Sequence, residues 1–365
     1  MWARAKGRWP HHSEATYKMP GIIQARRGRF TNNMQTIKFA DDWQWRGQAA
    51  GIGQGADANP PRVTICAIVK NEGAFLLEWV AYYRLMGIER FVIYNNGSTD
   101  DTRAVLDRIA GRAGITVIDW PSAPSSGALA FFEARDLVLS LPDLRDFNWW
   151  GDMMVGPQLR AYNHFVTYYA AETDWALFID ADEFVVSRAG LPLPTLAASY
   201  GRDPAVGAVA LNWRYFGSSG HQEPDGRLVI ERFTRCAPAT YHGHVHMKSL
   251  VRTAALDRMI IHSGRLRDGF HYVDDGGQPI TLRDDGFTPA ISHDRLYIHH
   301  YSVKSRAEFE RKRARGRAPV ADGHPHKREQ LDDEYFRRQD LNDEEDRTLL
   351  HHAPAVRVEM ARLLA

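Results

Sequence analysis

Apolar and polar positions change period several times along the chain, and each change marks an element. Val63 to Val69 (VTICAIV) is an apolar, β-branched run between Pro61 and Lys70-Asn71-Glu72, which predicts a buried strand. From Ala74 to Met86 the spacing becomes helical. Leu76, Trp79, Val80 and Tyr83 fall at i, i+3, i+4 and i+7, and Gly87 closes the run as a C-cap would. Trp79 and Tyr83 are read as core. Phe91 to Tyr94 predicts a second strand and Asn95-Asn96-Gly97 a turn. Ser98-Thr99-Asp100-Asp101 then opens a helix with capping hydroxyls and first-turn carboxylates. Ile115 to Trp120 is a third predicted strand. Strand, helix, strand, helix, strand with short joints argues for a parallel sheet with helices on its faces.

Residues 121–155, with Pro/Ser turns and scattered aromatics, give no clear element. Gln158 to Ala171 reads as a helix and Trp175 to Ile179 (WALFI) as a strand ending in Asp180-Ala181-Asp182-Glu183. Beyond it the pattern is β-rich, with strands expected at Val206 to Phe216, Leu228 to Thr234, Met247 to Arg252 and Tyr297 to Ser302. A basic helix is expected from Ser305 to Arg315, and its run Arg306 to Arg317 reads as a solvated or phosphate-facing surface rather than a nucleic-acid site. Residues 331–365 read as highly charged helices, a surface appendage. Ligands of open α/β sheets bind at the carboxyl ends of the strands. Chemistry is therefore sought at residues 70–72, 95–100 and 180–183.

Composition narrows the class. The 365 residues are 44% apolar and 25% charged, the balance of an ordinary globular protein. Lys plus Arg is 46 and Asp plus Glu is 45, a net charge of +1, without the basic excess of a dedicated nucleic-acid binder. Two cysteines, Cys66 and Cys236, are too few for a disulfide framework and fit a reducing compartment. No apolar run is long enough to span a membrane as a helix, and the N-terminus lacks the apolar core of a secretory signal. A cytoplasmic location is expected.

The first 61 residues differ from the rest. Residues 1–40 carry eight Lys/Arg against the single acid Glu14. Residues 47–61 (GQAAGIGQGADANPP) read as a linker. A poorly ordered extension is the plain reading, and a stretch ahead of the native start is another. A third is contact with an acidic membrane surface, aided by Trp2, Trp9, Trp43 and Trp45 at the headgroups.

The sharpest chemical feature is Asp180-Ala181-Asp182. Residues i and i+2 of an extended chain point to the same side, so two carboxylates are expected to converge at a strand end. Like charges held together call for a cation between them. Mg²⁺ or Mn²⁺ suits one or two carboxylates plus substrate phosphates. A solvated turn or a helix cap is the bland alternative. The sequence has no G-x-x-x-x-G-K-[ST] loop and no G-x-G-x-x-G in the first βα turn, and the GIGQG of residues 51–55 precedes any strand.

Six blocks carry a resemblance. Ile65 to Glu72 (ICAIVKNE), Glu78-Trp79, Phe91 to Thr102 (FVIYNNGSTDDT), Trp175 to Phe184 (WALFIDADEF), Trp213 to His221 (WRYFGSSGH) and His300 to Ser305 (HYSVKS) follow one another in this order. Over residues 62–317 the chain resembles glycosyltransferases of the family-2-like, family-92-related group, formerly DUF23. The resemblance implies an α/β fold of GT-A type: a Rossmann-like mixed sheet with helices on both faces, a β-rich acceptor-side half and a helical C-terminal appendage. The boundaries that follow are 1–61 extension, 62–317 transferase domain (nucleotide-binding half 62–184, acceptor-side half 185–317) and 318–365 appendage. It also implies a nucleotide-sugar donor, a divalent metal (Mn²⁺ or Mg²⁺), a carbohydrate or glycolipid acceptor, inversion at the anomeric carbon and a place in surface polysaccharide assembly.

Carried over position by position, Ala67, Lys70, Asn71 and Glu72 line the nucleoside pocket, and Asn95, Asn96 and Asp100 close it. Asp180 and Asp182 match the DxD pair, with Asp182 the more direct metal ligand. His300 is a third ligand, and Lys304 neutralises diphosphate. Relatives carry Asp where this chain has Asn95, which replaces an acidic contact with a neutral one. An inverting transfer needs a base for the acceptor hydroxyl, and Glu223, Glu231 and Asp294 are the candidates, Glu223 first because it follows the FGSSG loop. His242, His244 and His246 alternate and are expected on one strand face, as a polar pocket near the acceptor or as a zinc site. His299 is expected to be structural, and Lys248 to meet phosphate or to stand exposed. A nucleotidyltransferase and a non-catalytic nucleotide-sugar-binding module are the rival readings.

Overall fold

The structure is a computed structural model that describes residues 60–112, 114–120, 156–283, 286–316 and 331–365. The expectations for the extension, apart from Pro60 and Pro61, and for residues 121–155 and 318–330 lie outside the described residues. The first strand, β1 (Val63–Val69), alternates between two cores. Val63, Ile65, Ala67 and Val69 face one, while Cys66 and Ile68 face the other, as the twofold period of a strand requires. Helix α1 (Gly73–Leu85) covers the first core with Leu76, Trp79, Val80 and Tyr83. Strand β2 (Arg90–Asn95), helix α2 (Thr102–Ile109) and strand β3 (Ile115–Asp119) complete the alternating unit. Helix α3 (Pro157–Tyr168) covers the opposite face, burying Ala161, Tyr162 and Phe165 in the second core.

The chain then forms β4 (Trp175–Phe178), β5 (Glu183–Ser187), α4 (Leu193–Gly201) and β6 (Val206–Tyr215). Next come α5 (Val229–Arg232), β7 (Arg235–Cys236), β8 (Met247–Arg252), β9 (Leu256–Met259), β10 (Gly264–Leu266), β11 (His271–Val273), β12 (Pro279–Ile280) and β13 (Leu296–His300). Helices α6 (Arg306–Arg315) and α7 (Asp333–Gln339), strand β14 (Glu344–Glu345) and helix α8 (Ala353–Leu364) follow.

Among the described residues the main sheet runs β12-β11-β6-β8-β4-β1-β2-β3. Strands β1 to β4 are parallel, with Ile65 opposite both Phe91 and Leu177. Strand β8 is antiparallel between β4 and β6. Strand β6 forks: Ala208 to Asn212 pair with β8, and Trp213 to Tyr215 pair in parallel with β13, placing His300 opposite Tyr215. The ends of β1, β4, β6 and β13 and the start of β8 thus share one rim. This is the mixed sheet with helices on both faces that the resemblance implies; the alternating pattern alone points to a parallel sheet, which antiparallel β8 interrupts.

Three expectations change. Leu228 to Thr234 is not a strand, because the buried carboxylate of Glu78 accepts the amides of Val229 (2.8 Å) and Ile230 (3.2 Å) and caps the short α5 turn. His242 to Val245 is a 3-10 turn and not a strand, so the three histidines do not share a face. Residues 331–365 are not a surface appendage. Leu349, Ala353, Val356 and Leu363 are buried in the first core beside α1, and Arg84 donates to Glu359 at 2.6 Å. No helix of the described residues is long and apolar enough to cross a membrane.

Candidate active site

The turn after β4 carries Asp180 and Asp182, and each carboxylate has its own lysine. Lys248, completely buried two residues into β8, donates to Asp180 Oδ2 at 2.8 Å. Asp180 Oδ1 accepts from Gln158 Nε2 at 3.0 Å. Glu183 folds back to accept the Asp180 amide at 3.1 Å, and its Oε2 lies 3.9 Å from Lys248 Nζ. Burial and the neighbouring aspartates raise the Glu183 carboxyl, against the pull of Lys248. Burial opposes charge on Lys248 as well, but the Asp180 carboxylate outweighs it and holds the ammonium protonated.

Asp182 is buried, and its Oδ2 accepts from Lys312 Nζ at 2.8 Å. The same ammonium donates to Ser302 O at 2.8 Å. Burial alone would push the Asp182 carboxyl up; Lys312 and Lys304 prevail and hold it well below the usual carboxylate range. Helix α6 delivers Lys312. Its N-terminus is fixed by a reciprocal box, Ser305 Oγ accepting the Glu308 amide (3.3 Å) and Glu308 Oε2 the Ser305 amide (2.9 Å). Glu308 is itself clamped by both terminal nitrogens of Arg232, at 2.7 and 3.0 Å. Lys304, just before the cap, has φ +56°, a left-handed conformation that a long side chain adopts only where the surroundings enforce it. Its ammonium lies 4.5 Å from the centroid of the Phe75 ring.

Between α6 and the end of β1 lies a cleft of about 540 Å³. Lys70, Asn71, Glu72, Asp100, Lys304 and Lys312 line it, with Phe75, Arg311 and Arg315 among the other walls. Asn71, at φ +53°, exchanges hydrogen bonds with the loop after β2: its amide donates to Ser98 Oγ (3.0 Å) and its Oδ1 accepts the Thr99 amide (2.7 Å). Asp100 accepts the amides of Gly73 (3.2 Å) and Thr102 (2.9 Å), tying the starts of α1 and α2 together. Arg315 pairs with Glu72 and donates to the carbonyls of Lys70 and Asn71.

The other expected pocket residues sit elsewhere. Ala67 is core. Asn95 donates to Asp119 Oδ1 at 3.1 Å and Asn96 to Trp120 O at 3.1 Å, so both bind the β2–β3 ends together. Arg311, Lys312 and Arg315 are expected only as part of the solvated or phosphate-facing run Arg306 to Arg317, and the structure puts them on the cleft wall. Their i, i+1 and i+4 spacing from Arg311 on the helix after HYSVKS was the available signal.

On the other side of His300 stands a cluster of rings. Trp213 lies 4.3 Å from His300 and stacks on His246 at 5.2 Å with planes 8° apart. His246 Nδ1 is 2.8 Å from Gly243 O. That carbonyl can only accept, so the proton is on Nδ1 and Nε2 carries the lone pair. His244 instead faces Pro238 O at 3.1 Å. Of the base candidates, Glu223 is exposed on its loop. Glu231 is committed to Arg357 (2.5 Å) and to its own helix start. Asp294 is exposed in the bend before β13, six residues before His300. His299 lies 3.5 Å from buried Asp346, which also meets Arg214 at 3.1 Å, a structural role.

Among the described residues no three His, Cys, Asp or Glu side chains form a ready-made metal cage, for zinc or any other ion. Asp182 and His300 still lie near enough to share a divalent ion. Asp182 Oδ1 and His300 Nε2 are 3.9 Å apart, and adjacent ligands about 2.1 Å from a shared octahedral ion stand about 3.0 Å apart, so the two would close by about 1 Å on binding it. Burial pushes the His300 imidazole down to about 3, which leaves it neutral, as a ligand must be. Asp180, held by Lys248, fits a supporting place better than a ligand's.

Residues 62–274 match the family model described as Glycosyltransferase family 92. A glycosyltransferase family 92 protein of Ricinus communis is 28% identical over 219 residues, covering 59% of this chain and 33% of that protein. One from Oryza sativa subsp. japonica is 26% identical over 216 residues, covering 58% and 31%. The chain thus spans about a third of the length of the curated relatives it matches. Among solved structures, the mannosyltransferase from Pyrobaculum calidifontis in complex with GDP-Man and Mn²⁺ shares 15% identity at a TM-score of 0.33, over 84% of this chain and 74% of that one. Glucosyl-3-phosphoglycerate synthase from Mycobacterium tuberculosis shares 17% at a TM-score of 0.24, over 42% and 44%.

Proposed function

We propose, because the chain belongs to glycosyltransferase family 92, that it moves a sugar from a nucleoside-diphosphate sugar to an acceptor hydroxyl at the Asp182 turn, with inversion. The observation that carries the reading is the pairing of a buried Asp182–His300 couple with a cationic cleft holding Lys304 and Lys312. Asp182 and His300 would hold Mn²⁺ or Mg²⁺. The bound ion would supply Lewis-acid stabilisation to the departing diphosphate. Lys304 and Lys312 add fixed positive charge where negative charge develops, in a site partly screened from water. The loops Lys70-Asn71-Glu72 and Thr99-Asp100-Asp101 line the cleft and would hold the nucleoside.

For the acceptor's proton, the geometry favours His246 over Glu223. His246 carries its lone pair on Nε2 and stacks on the ring that touches His300, whereas Glu223 is exposed on its loop. The basic extension, outside the described residues, is the part that would meet an acidic membrane at the cytoplasmic face. A mass-spectrometric screen of UDP- and GDP-sugars with Mn²⁺ tests the reading. Slow release of nucleoside diphosphate from at least one donor supports it. Pyrophosphate release from a nucleoside triphosphate would favour nucleotidyl transfer, and binding without turnover even with acceptor a non-catalytic module.

A further inference from the structure

Lys312 stands where two ligands would compete for it. Its ammonium touches Asp182 Oδ2 at 2.8 Å, and its side chain forms part of the cleft wall with Lys304 and Arg315. It retains about a fifth of its side-chain exposure, whereas Lys248, the partner of Asp180, has none. Lys312 is therefore the cation of the pair that can turn toward the cleft. Its second anchor, the Ser302 carbonyl at 2.8 Å, borders the same cleft. A divalent ion on Asp182 would sit against this ammonium, and like charges at that range repel. A diphosphate in the cleft offers the ammonium a new partner.

Resting on the proposed function, we infer that Lys312 is an internal counter-cation of Asp182. It blocks the divalent ion in the free protein and transfers to the diphosphate when a nucleotide enters. Ion and nucleotide then bind with positive coupling, part of which is built into the protein and does not come from ion–phosphate contact alone. Coupling of this kind is reciprocal.

The test is Mn²⁺ titration of the full chain by electron paramagnetic resonance, alone and with saturating UDP or GDP. It is run on wild type, Lys312→Met and Lys312→Arg. Lys312→Met should bind Mn²⁺ about tenfold more tightly than wild type without nucleotide, and nucleotide should strengthen its Mn²⁺ binding by a smaller factor. Lys312→Arg, which keeps the charge, should stay near wild type. Equal or weaker Mn²⁺ binding by nucleotide-free Lys312→Met, with its melting temperature near wild type, overturns this inference alone. No Mn²⁺ binding by wild type even with nucleotide overturns it together with the metal-dependent reading.

Discussion

Lys248 Nζ donates to Asp180 Oδ2 at 2.8 Å from a fully buried position, with Glu183 Oε2 at 3.9 Å on its other side. One ammonium thus serves two carboxyl groups at the end of β4 and shapes the turn that presents Asp182. Lys248→Met should leave this acid pair without its counter-charge. Breaking a buried ion pair from one side costs about 3–5 kcal/mol. Urea unfolding at pH 7.5 should show a loss of that order, larger than for any exposed lysine.

Asp182→Asn should separate function from folding. Lys312, unlike Lys248, keeps about a fifth of its side-chain exposure and its contact with Ser302 O, so it can turn toward the cleft, and the stability loss should be smaller than for Lys248→Met. Nucleotide-sugar turnover should fall by at least about 10²-fold, the scale of losing a few kcal/mol of metal-assisted charge stabilisation. Parallel thermal melts and donor-hydrolysis rates check both halves.

His246 and Glu223 are distinguished by one pair of variants. His246→Gln should lower kcat for transfer by about 10²–10⁴-fold, the usual contribution of a general base. It should leave acceptor-independent donor binding intact. Glu223→Gln should change little. The reverse ranking would return the proton-accepting role to the loop carboxylate.

Stability should fall on mild acidification. Burial pushes His244 down to about 3, and His293 and His352 down to about 4. The unfolded chain therefore takes up protons below about pH 6.5 that the folded chain refuses. The stabilisation is complete above that pH and is lost as pH falls toward the folded values. Each buried imidazole should cost roughly 2 kcal/mol by pH 5. Glu78, pushed up to about 7 by burial, works the other way over this window and is outnumbered. Urea midpoints at pH 7.5, 6 and 5 should decline steadily.

Truncation after Thr348 should prevent cooperative folding. It removes Leu349, Ala353, Val356 and Leu363 from the first core, a loss of about 5 kcal/mol of apolar burial, comparable with the whole net stability of a domain. Circular dichroism melts of the truncated chain should lack a sharp transition.

What was legible in the sequence was set by local pattern. The run Val63 to Val69 had a single periodicity and clear punctuation, and it matches β1 residue for residue. Asp180 and Asp182 stood out because a strand end is a fixed place in a parallel sheet. Long-range capture was illegible. Leu228 to Thr234 has strand-like residues, yet Glu78, some 150 positions earlier, holds its amides in a helical turn. The charge on α8 hid the apolar stripe Ala353, Val356 and Leu363. The basic run holding Lys312 and Arg315 read as either a solvated or a phosphate-facing surface, because nothing local says that α6 packs across the ends of β1 and β4.

The most direct measurement is a crystal structure after soaking with Mn²⁺ and UDP or GDP. The expected result is an ion between Asp182 and His300, with the diphosphate against Lys304 and Lys312. A nucleotide bound elsewhere would contradict the assignment. One such place is the groove of about 760 Å³ at the opposite strand ends, lined by Arg62, Trp175 and Arg252. An empty Asp182 site at saturating ligand would contradict it equally.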